Sequence, residues 1–163
     1  MDMLDRITQV LNRVLLIIAG CILGAMIVLT CANIFLRIVW VPVKGTFELM
    51  GYFGAVITAF ALGTTQMRRG HIAVDIMVLR FPKGMRRVLS GFNDVICMVF
   101  FGLAFWQITR YATTLFRTGE ITETLRIIYY PFTYGVALGC LALSLVFLTD
   151  FLKTFFPKDG DEK

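Results

Sequence analysis

The sequence predicts an all-α integral membrane protein with four transmembrane helices. Of its 163 residues, 58% are hydrophobic and only 17% are charged, and the mean hydropathy is +0.77. Such a chain has too few polar side chains to cover a water-soluble globule. Four apolar runs are each long enough to cross a hydrocarbon core of about 30 Å. We expect one membrane domain over residues 1–163, with spans at approximately 14–36, 48–67, 88–110 and 131–152.

The basic residues are distributed in a way that predicts orientation. The formal net charge is +5, but Lys and Arg lie between the apolar runs and form no separate basic arm, so we expect no nucleic-acid partner. They are more frequent in the N-terminal segment, the second loop and the tail than in the first and third loops. Both termini are therefore predicted to be cytoplasmic, with phospholipid headgroups as partners.

The sequence shows no group of residues typical of a catalytic or cofactor-binding site. The four cysteines are isolated within apolar runs, and His71 is the single histidine. No nucleophile and base, metal-ligand cluster or phosphate-binding glycine loop is recognisable. We expect no enzyme activity, no metal site and no cofactor.

Short amphipathic helices are predicted beside the spans. Leu4, Ile7 and Leu11 have helical spacing in the segment 1–13, which suits a helix lying at the membrane interface. An N-terminal extension of the first transmembrane helix is the alternative. Between spans two and three, the apolar segment 72–81 is too short to cross the membrane and is predicted to lie along its surface.

Span one carries both a packing signal and a polar end. Gly20 and Gly24 form a small-xxx-small pattern that allows two helix backbones to approach closely. Asn33 and Arg37 are four residues apart and share a face. An asparagine within a membrane needs a partner, so this face is expected to contact protein. Arg37 either extends to the headgroups or pairs with Glu48, which opens span two after a short turn.

Spans two and four carry further small-residue patterns. Gly51, Ala55, Ala59 and Gly63 recur every four residues in span two. A second pattern in span four is formed by Gly135 and Gly139. Because apolar surface alone does not drive helix association in lipid, these patterns predict close helix contacts. The sequence leaves open whether the partner helix belongs to this chain or to another subunit.

The polar block after span two is predicted to anchor the chain. Arg68 and Arg69 would end the span at the headgroups, and Gly70 permits a sharp exit. Asp75 is placed to pair with either arginine or to accept a hydrogen bond from His71. The simpler alternative is a basic stop-transfer turn without a partner contact.

These features together resemble a known transporter subunit. The order Asn33-x-x-x-Arg37, a short proline-containing turn, Glu48 and then Arg-x-Gly-His-Ile-x-Val-Asp, ending at Asp75, is similar to the small DctQ-like membrane subunit of tripartite ATP-independent periplasmic (TRAP) transporters. The resemblance extends over nearly the whole chain, including its length and its four spans. The Arg-x-Gly-His-Ile-x-Val-Asp block is its most specific part.

The resemblance implies a non-catalytic subunit in the bacterial inner membrane. In that family a large DctM-like subunit carries the substrate and sodium sites and moves like an elevator, and a periplasmic binding protein delivers an organic acid. The small subunit braces the large one and has no substrate-binding, catalytic or metal residue. The uncharged middles of the four spans lead to the same expectation. The alternative is a small homodimeric exporter, which would need an essential carboxylate within a span, whereas Glu48 lies at a span end.

Overall fold

The computed structural model describes residues 2–67 and 83–155, and these residues form four long helices. They are α1 (Asp2–Val39), α2 (Thr46–Met67), α3 (Lys83–Thr118) and α4 (Tyr130–Phe155). Each contains a stretch that is long and apolar enough to cross a membrane. The structure thus confirms the predicted all-α fold with four transmembrane helices.

The helices pack in the spatial order α1, α2, α4, α3. Helix α4 makes its largest contacts with α3 and α2, and α1 packs mainly on α2. In the most apolar window of each helix, 39% of the residues of α4 are buried, against 11% in α1 and in α3. The two outer helices therefore leave most of their apolar surface uncovered by the described residues.

The centre of the bundle is built from small, branched and aromatic side chains. Leu15 and Ala19 of α1 pack with Val56 and Phe60 of α2 in one buried cluster. This cluster also includes Ala142 of α4. Apolar burial of this kind adds less in lipid than in water, so the close fit of the side chains matters most.

The bundle has two ends that differ in what they contain. We call the end that holds the turn 40–45 and the loop 119–129 the loop end. The opposite end, where α1 begins and α4 finishes, is called the terminal end. An ion pair of 3.0 Å between Asp5 Oδ1 and Lys153 Nζ joins α1 to α4 there.

Helix α1 corrects one expectation from the sequence. The segment 2–13 does not form a separate interfacial helix but continues directly into the first span, so the structure has the extension instead. Thr8, Asn12, Leu15 and Ala19 are all buried and follow one another at helical spacing across the proposed boundary. The inward face of the span thus runs on into the N-terminal segment.

Two further expectations concern the remaining connections. Helix α3 extends past residue 110 to Thr118, which lengthens the predicted span at the loop end. The interfacial helix predicted over 72–81 lies outside the described residues.

Candidate subunit interface

Four of the predicted small residues pack inside this chain. A Cβ atom at Gly139 would lie 2.7 Å from the Ala59 side chain and backbone, so α2 and α4 meet almost backbone to backbone. One at Gly135 would lie 3.5 Å from the Val56 side chain. Gly63 faces α1, where a Cβ atom would overlap the amide oxygen of Asn12. These contacts are internal helix packing.

The remaining small residues face away from the described chain. Gly20, Gly24 and Gly51 have no other atom within 4 Å of the place where a Cβ would stand, and Ala55 is exposed. They are therefore open to the approach of a further helix.

The small residues of α2 therefore lie partly inside the bundle and partly on its outer surface. Residues spaced by four advance around an α-helix by about 40° per step, because 3.6 residues make a turn. Between Gly51 and Gly63 the pattern consequently winds about a third of the way round the helix. Its first half is open and its second half is buried.

Asn33 stabilises the turn between α1 and α2. Its amide oxygen Oδ1 accepts a 2.9 Å hydrogen bond from the backbone N–H of Val43. The Asn33 side chain was expected to need a protein partner, and this partner lies within its own helical hairpin. Arg37 is exposed on the same helix.

Glu48 binds the loop between α3 and α4. Oε1 accepts from the Thr124 backbone N–H at 2.9 Å, and Oε2 accepts from the Leu125 backbone N–H at 3.3 Å. A carboxylate that accepts two amide donors forms charge-assisted bonds. The Arg37–Glu48 ion pair considered from the sequence is not formed between these two described residues, because the carboxylate turns toward the loop instead.

The loop itself has a defined hydrogen-bonded shape. The Thr122 N–H donates to the Ile127 carbonyl at 3.0 Å, and the Ile127 N–H donates to Thr122 Oγ1 at 3.1 Å. Arg126 adopts a left-handed backbone with φ of 52°. The Leu125 side chain covers Gly45, whose own φ is 77°, so the loop and the α1–α2 turn lock together.

Aromatic and acidic side chains connect the loop 119–129 to α2. The Tyr129 hydroxyl donates to Glu120 Oε2 at 2.8 Å, and this bond raises the pKa of Tyr129 above its ordinary value. Its ring stacks on that of Tyr52, with centroids 5.6 Å apart. The loop thereby packs against the first turns of α2 through both apolar and polar groups.

The terminal end is held by side chains on different helices. Besides the Asp5–Lys153 pair, Gln66 Nε2 donates to Asp150 Oδ2 at 3.4 Å. Asn12 is almost fully buried and donates from Nδ2 to the Thr8 carbonyl at 2.9 Å. Its Oδ1 accepts no hydrogen bond from any described residue and lies against Gly63.

The polar block that carried the most specific resemblance is outside the described residues. This applies to Arg68, Arg69, Gly70, His71 and Asp75. Their anchoring role stays a prediction.

Sequence reasoning missed several of the residues that fix the two ends. The backbone amides that bind Glu48 have no side-chain signature and are far from it in sequence. Asn12 had a usable signal, because Thr8, Asn12, Leu15 and Ala19 share the spacing of one inward face.

The fold defines a multi-pass helical membrane protein whose described residues pack through small side chains and hold polar bonds at the two ends. Residues 26–156 match the family described as the DctQ component of tripartite ATP-independent periplasmic transporters. This match covers well over half of the chain, so the protein belongs to the DctQ family and is a small component of a TRAP transporter. No curated protein and no solved structure matches the chain.

Proposed function

We propose that this chain braces the large, elevator-type membrane subunit of its transporter during sodium-coupled uptake of an organic acid. A periplasmic binding protein delivers that acid, and the small subunit itself has no catalytic or substrate-binding residue. The bracing subunit lies in the bacterial inner membrane with both termini cytoplasmic, so that the loop end is periplasmic. The distribution of Lys and Arg supports this orientation.

The observation that carries the proposal is the set of small residues left open on the outer surface. On α1, Gly20 and Gly24 lie one above the other with free space in front of both. Such a surface lets another helix backbone come close, which is how helices associate in lipid. Gly51 and Ala55 offer a second surface of the same kind on α2. Together they fit a partner protein with several membrane helices.

The state of Glu48 argues against the alternative of a homodimeric exporter. Such an exporter needs a carboxylate that exchanges its partners during transport. Here both carboxylate oxygens bind backbone amides of the loop at the end of the bundle. The carboxylate is therefore committed to holding the fold.

Affinity purification tests the proposal directly. The chain is tagged at its C-terminus, purified from native membranes in mild detergent and examined by mass spectrometry. A 1:1 complex with a much larger multi-span protein is the expected result. A stable homodimer without a larger companion contradicts it, and Glu48 would then be tested for transport.

Two further measurements refine the test. Proteoliposomes that contain this chain alone should show no substrate flux, whereas the complete transporter should. Gly24→Leu should reduce recovery of the large subunit, since it fills the space that a partner helix needs. The matched control is Gly24→Ala, which keeps a small residue at the same open site. Equal recovery for both variants would place the contact elsewhere.

A further inference from the structure

Helix α3 carries two hydrogen-bonding side chains on an exposed line. Leu103, Gln107 and Arg110 follow one another at spacings of four and three, so they share one face. All three are exposed. Ala112 and Leu115, which are buried, lie on the opposite side of the helix. We call the exposed set the α3 outer line.

Along the helix axis, Gln107 lies far from both ends of the bundle. On one side of it Thr113 Oγ1 and Tyr134 Oη are 3.0 Å apart, and on the other Ser144 Oγ donates to the Met98 carbonyl at 3.3 Å. Gln107 lies between these two contacts, so it is level with the middle of α4. Since α4 is a predicted span, its middle lies in the hydrocarbon core. Gln107 therefore sits within the apolar layer.

The polar groups of Gln107 and Arg110 are not satisfied by the described chain. Neither side chain has a hydrogen bond or an ion pair with a described residue. Exposed threonines behave differently, since Thr58 Oγ1 donates to the Gly54 carbonyl of its own helix at 2.8 Å. A carboxamide that faces hydrocarbon loses its bonds to water and gains none. The extended Arg110 side chain reaches toward headgroups, but Gln107 is too short to do so.

We propose that the α3 outer line is the surface through which this chain hydrogen-bonds to a transmembrane helix of the large subunit. The partner helix offers an amide or hydroxyl group to Gln107 and a carboxylate or carbonyl oxygen to Arg110, since these match the donors and acceptors present. This inference rests on the proposed function and names the face that makes the contact.

The outer face of α1 shows what a surface without such a need looks like. Val28 and Phe35 are 69% and 66% exposed, and both are apolar. Apolar side chains such as these need no hydrogen-bond partner, whether lipid or a helix of the large subunit covers them. The carboxamide of Gln107 does require one, and Arg110 lies one turn away on the same face, which is why α3 is assigned the hydrogen-bonding contact.

The test measures the Kd between labelled small and large subunits in detergent micelles. Gln107→Leu and Arg110→Leu should each weaken binding by about three- to twentyfold, the range found for hydrogen bonds between membrane helices. Thr65→Val is the control, because that exposed hydroxyl already bonds to the Ala61 carbonyl of its own helix. Its Kd should stay within about twofold of wild type. The melting temperature of each isolated variant should not fall, since both replaced side chains are exposed.

Two outcomes separate this inference from the proposed function. If the wild-type chain does not bind the large subunit, the proposed function fails. If it binds and both leucine variants bind equally well, only the assignment of α3 fails. A photoactivatable benzoylphenylalanine at position 103 gives an independent result. Crosslinking to the large subunit is expected, whereas crosslinking only to lipid or to a second copy of this chain overturns the assignment.

Discussion

The loop end and the terminal end of the bundle are stabilised in different ways. At the loop end, the polar side chains Asn33 and Glu48 bind backbone amides. At the terminal end, side chains meet other side chains, as in the Asp5–Lys153 pair. Backbone amides in a tight loop are already fixed in space, whereas a long, partly exposed side chain such as Lys153 loses rotamer freedom when it pairs. We therefore expect the loop end to be the more sensitive to single substitutions.

The largest effect is expected at Gly45, where the two connections of the loop end meet. Gly45→Ala places a side chain in the left-handed region and against Leu125. We expect a loss of about 2–4 kcal/mol in stability, from backbone strain together with the overlap. Thermal unfolding in detergent measures it.

Gly119 provides the matched control for this prediction. It has a similar φ of 66° but open space around it. Gly119→Ala should cost only about 1 kcal/mol, which is the strain alone. Equal losses for the two variants would mean that the Leu125 contact does not stabilise the loop end.

A smaller loss is expected at the terminal end from Gly63→Ala. The added methyl group overlaps the buried Asn12 amide, and we expect a net cost of about 1–2 kcal/mol after the gain in helix propensity. The double variant with Asn12→Ala should recover part of this loss, because the amide is removed. Gly51→Ala is the control and should be neutral or slightly stabilising. A Gly63→Ala protein as stable as the control would show that Asn12 moves aside freely.

Glu48→Gln tests the bonds that join α2 to the loop. The substitution keeps the shape of the side chain but removes its charge and one acceptor oxygen. We expect a lower melting temperature, by less than for Gly45→Ala, since the Thr122–Ile127 bonds remain. Glu123→Gln alters a neighbouring exposed carboxylate and should leave the melting temperature unchanged. If both glutamine variants have the same melting temperature, the bonds from Glu48 to the loop amides contribute little to stability.

The smallest effect is expected from the Asp5–Lys153 pair. The Lys153 side chain is 49% exposed and that of Asp5 is 24% exposed, so solvent screens their attraction. Asp5→Asn should cost no more than about 0.5 kcal/mol at low salt. In about 1 M salt the difference from wild type should vanish. A larger loss that persists in salt would show that the terminal end is as sensitive to a single substitution as the loop end.

Much of the fold was predictable from local sequence. The spans 48–67 and 131–152 agree closely with α2 and α4, because backbone polar groups in lipid must bond within their own segment. Helix α1 runs through residue 14 without a break, since a change from apolar to polar composition does not end a helix. The buried stripe that begins at Thr8 shows why α1 continues.

The candidate interface was less predictable. The sequence showed that small residues were present at close-packing intervals, but it did not show which neighbour each would meet. Ala59 meets Gly139, whereas Gly51 on the same helix faces open space. The pattern winds around α2, so its members face different directions. Which neighbour each one meets can be told only when the positions of the other helices are known.

The sequence by itself determined that this protein spans the membrane four times and that it resembles a TRAP transporter subunit. Both follow from local information, namely the length of apolar runs and the order of short motifs. Only the tertiary structure decided that Glu48 binds the distant α3–α4 loop and that Gln107 lies on an exposed line. Those facts depend on which elements are neighbours, because a contact between distant residues is set by how whole helices pack.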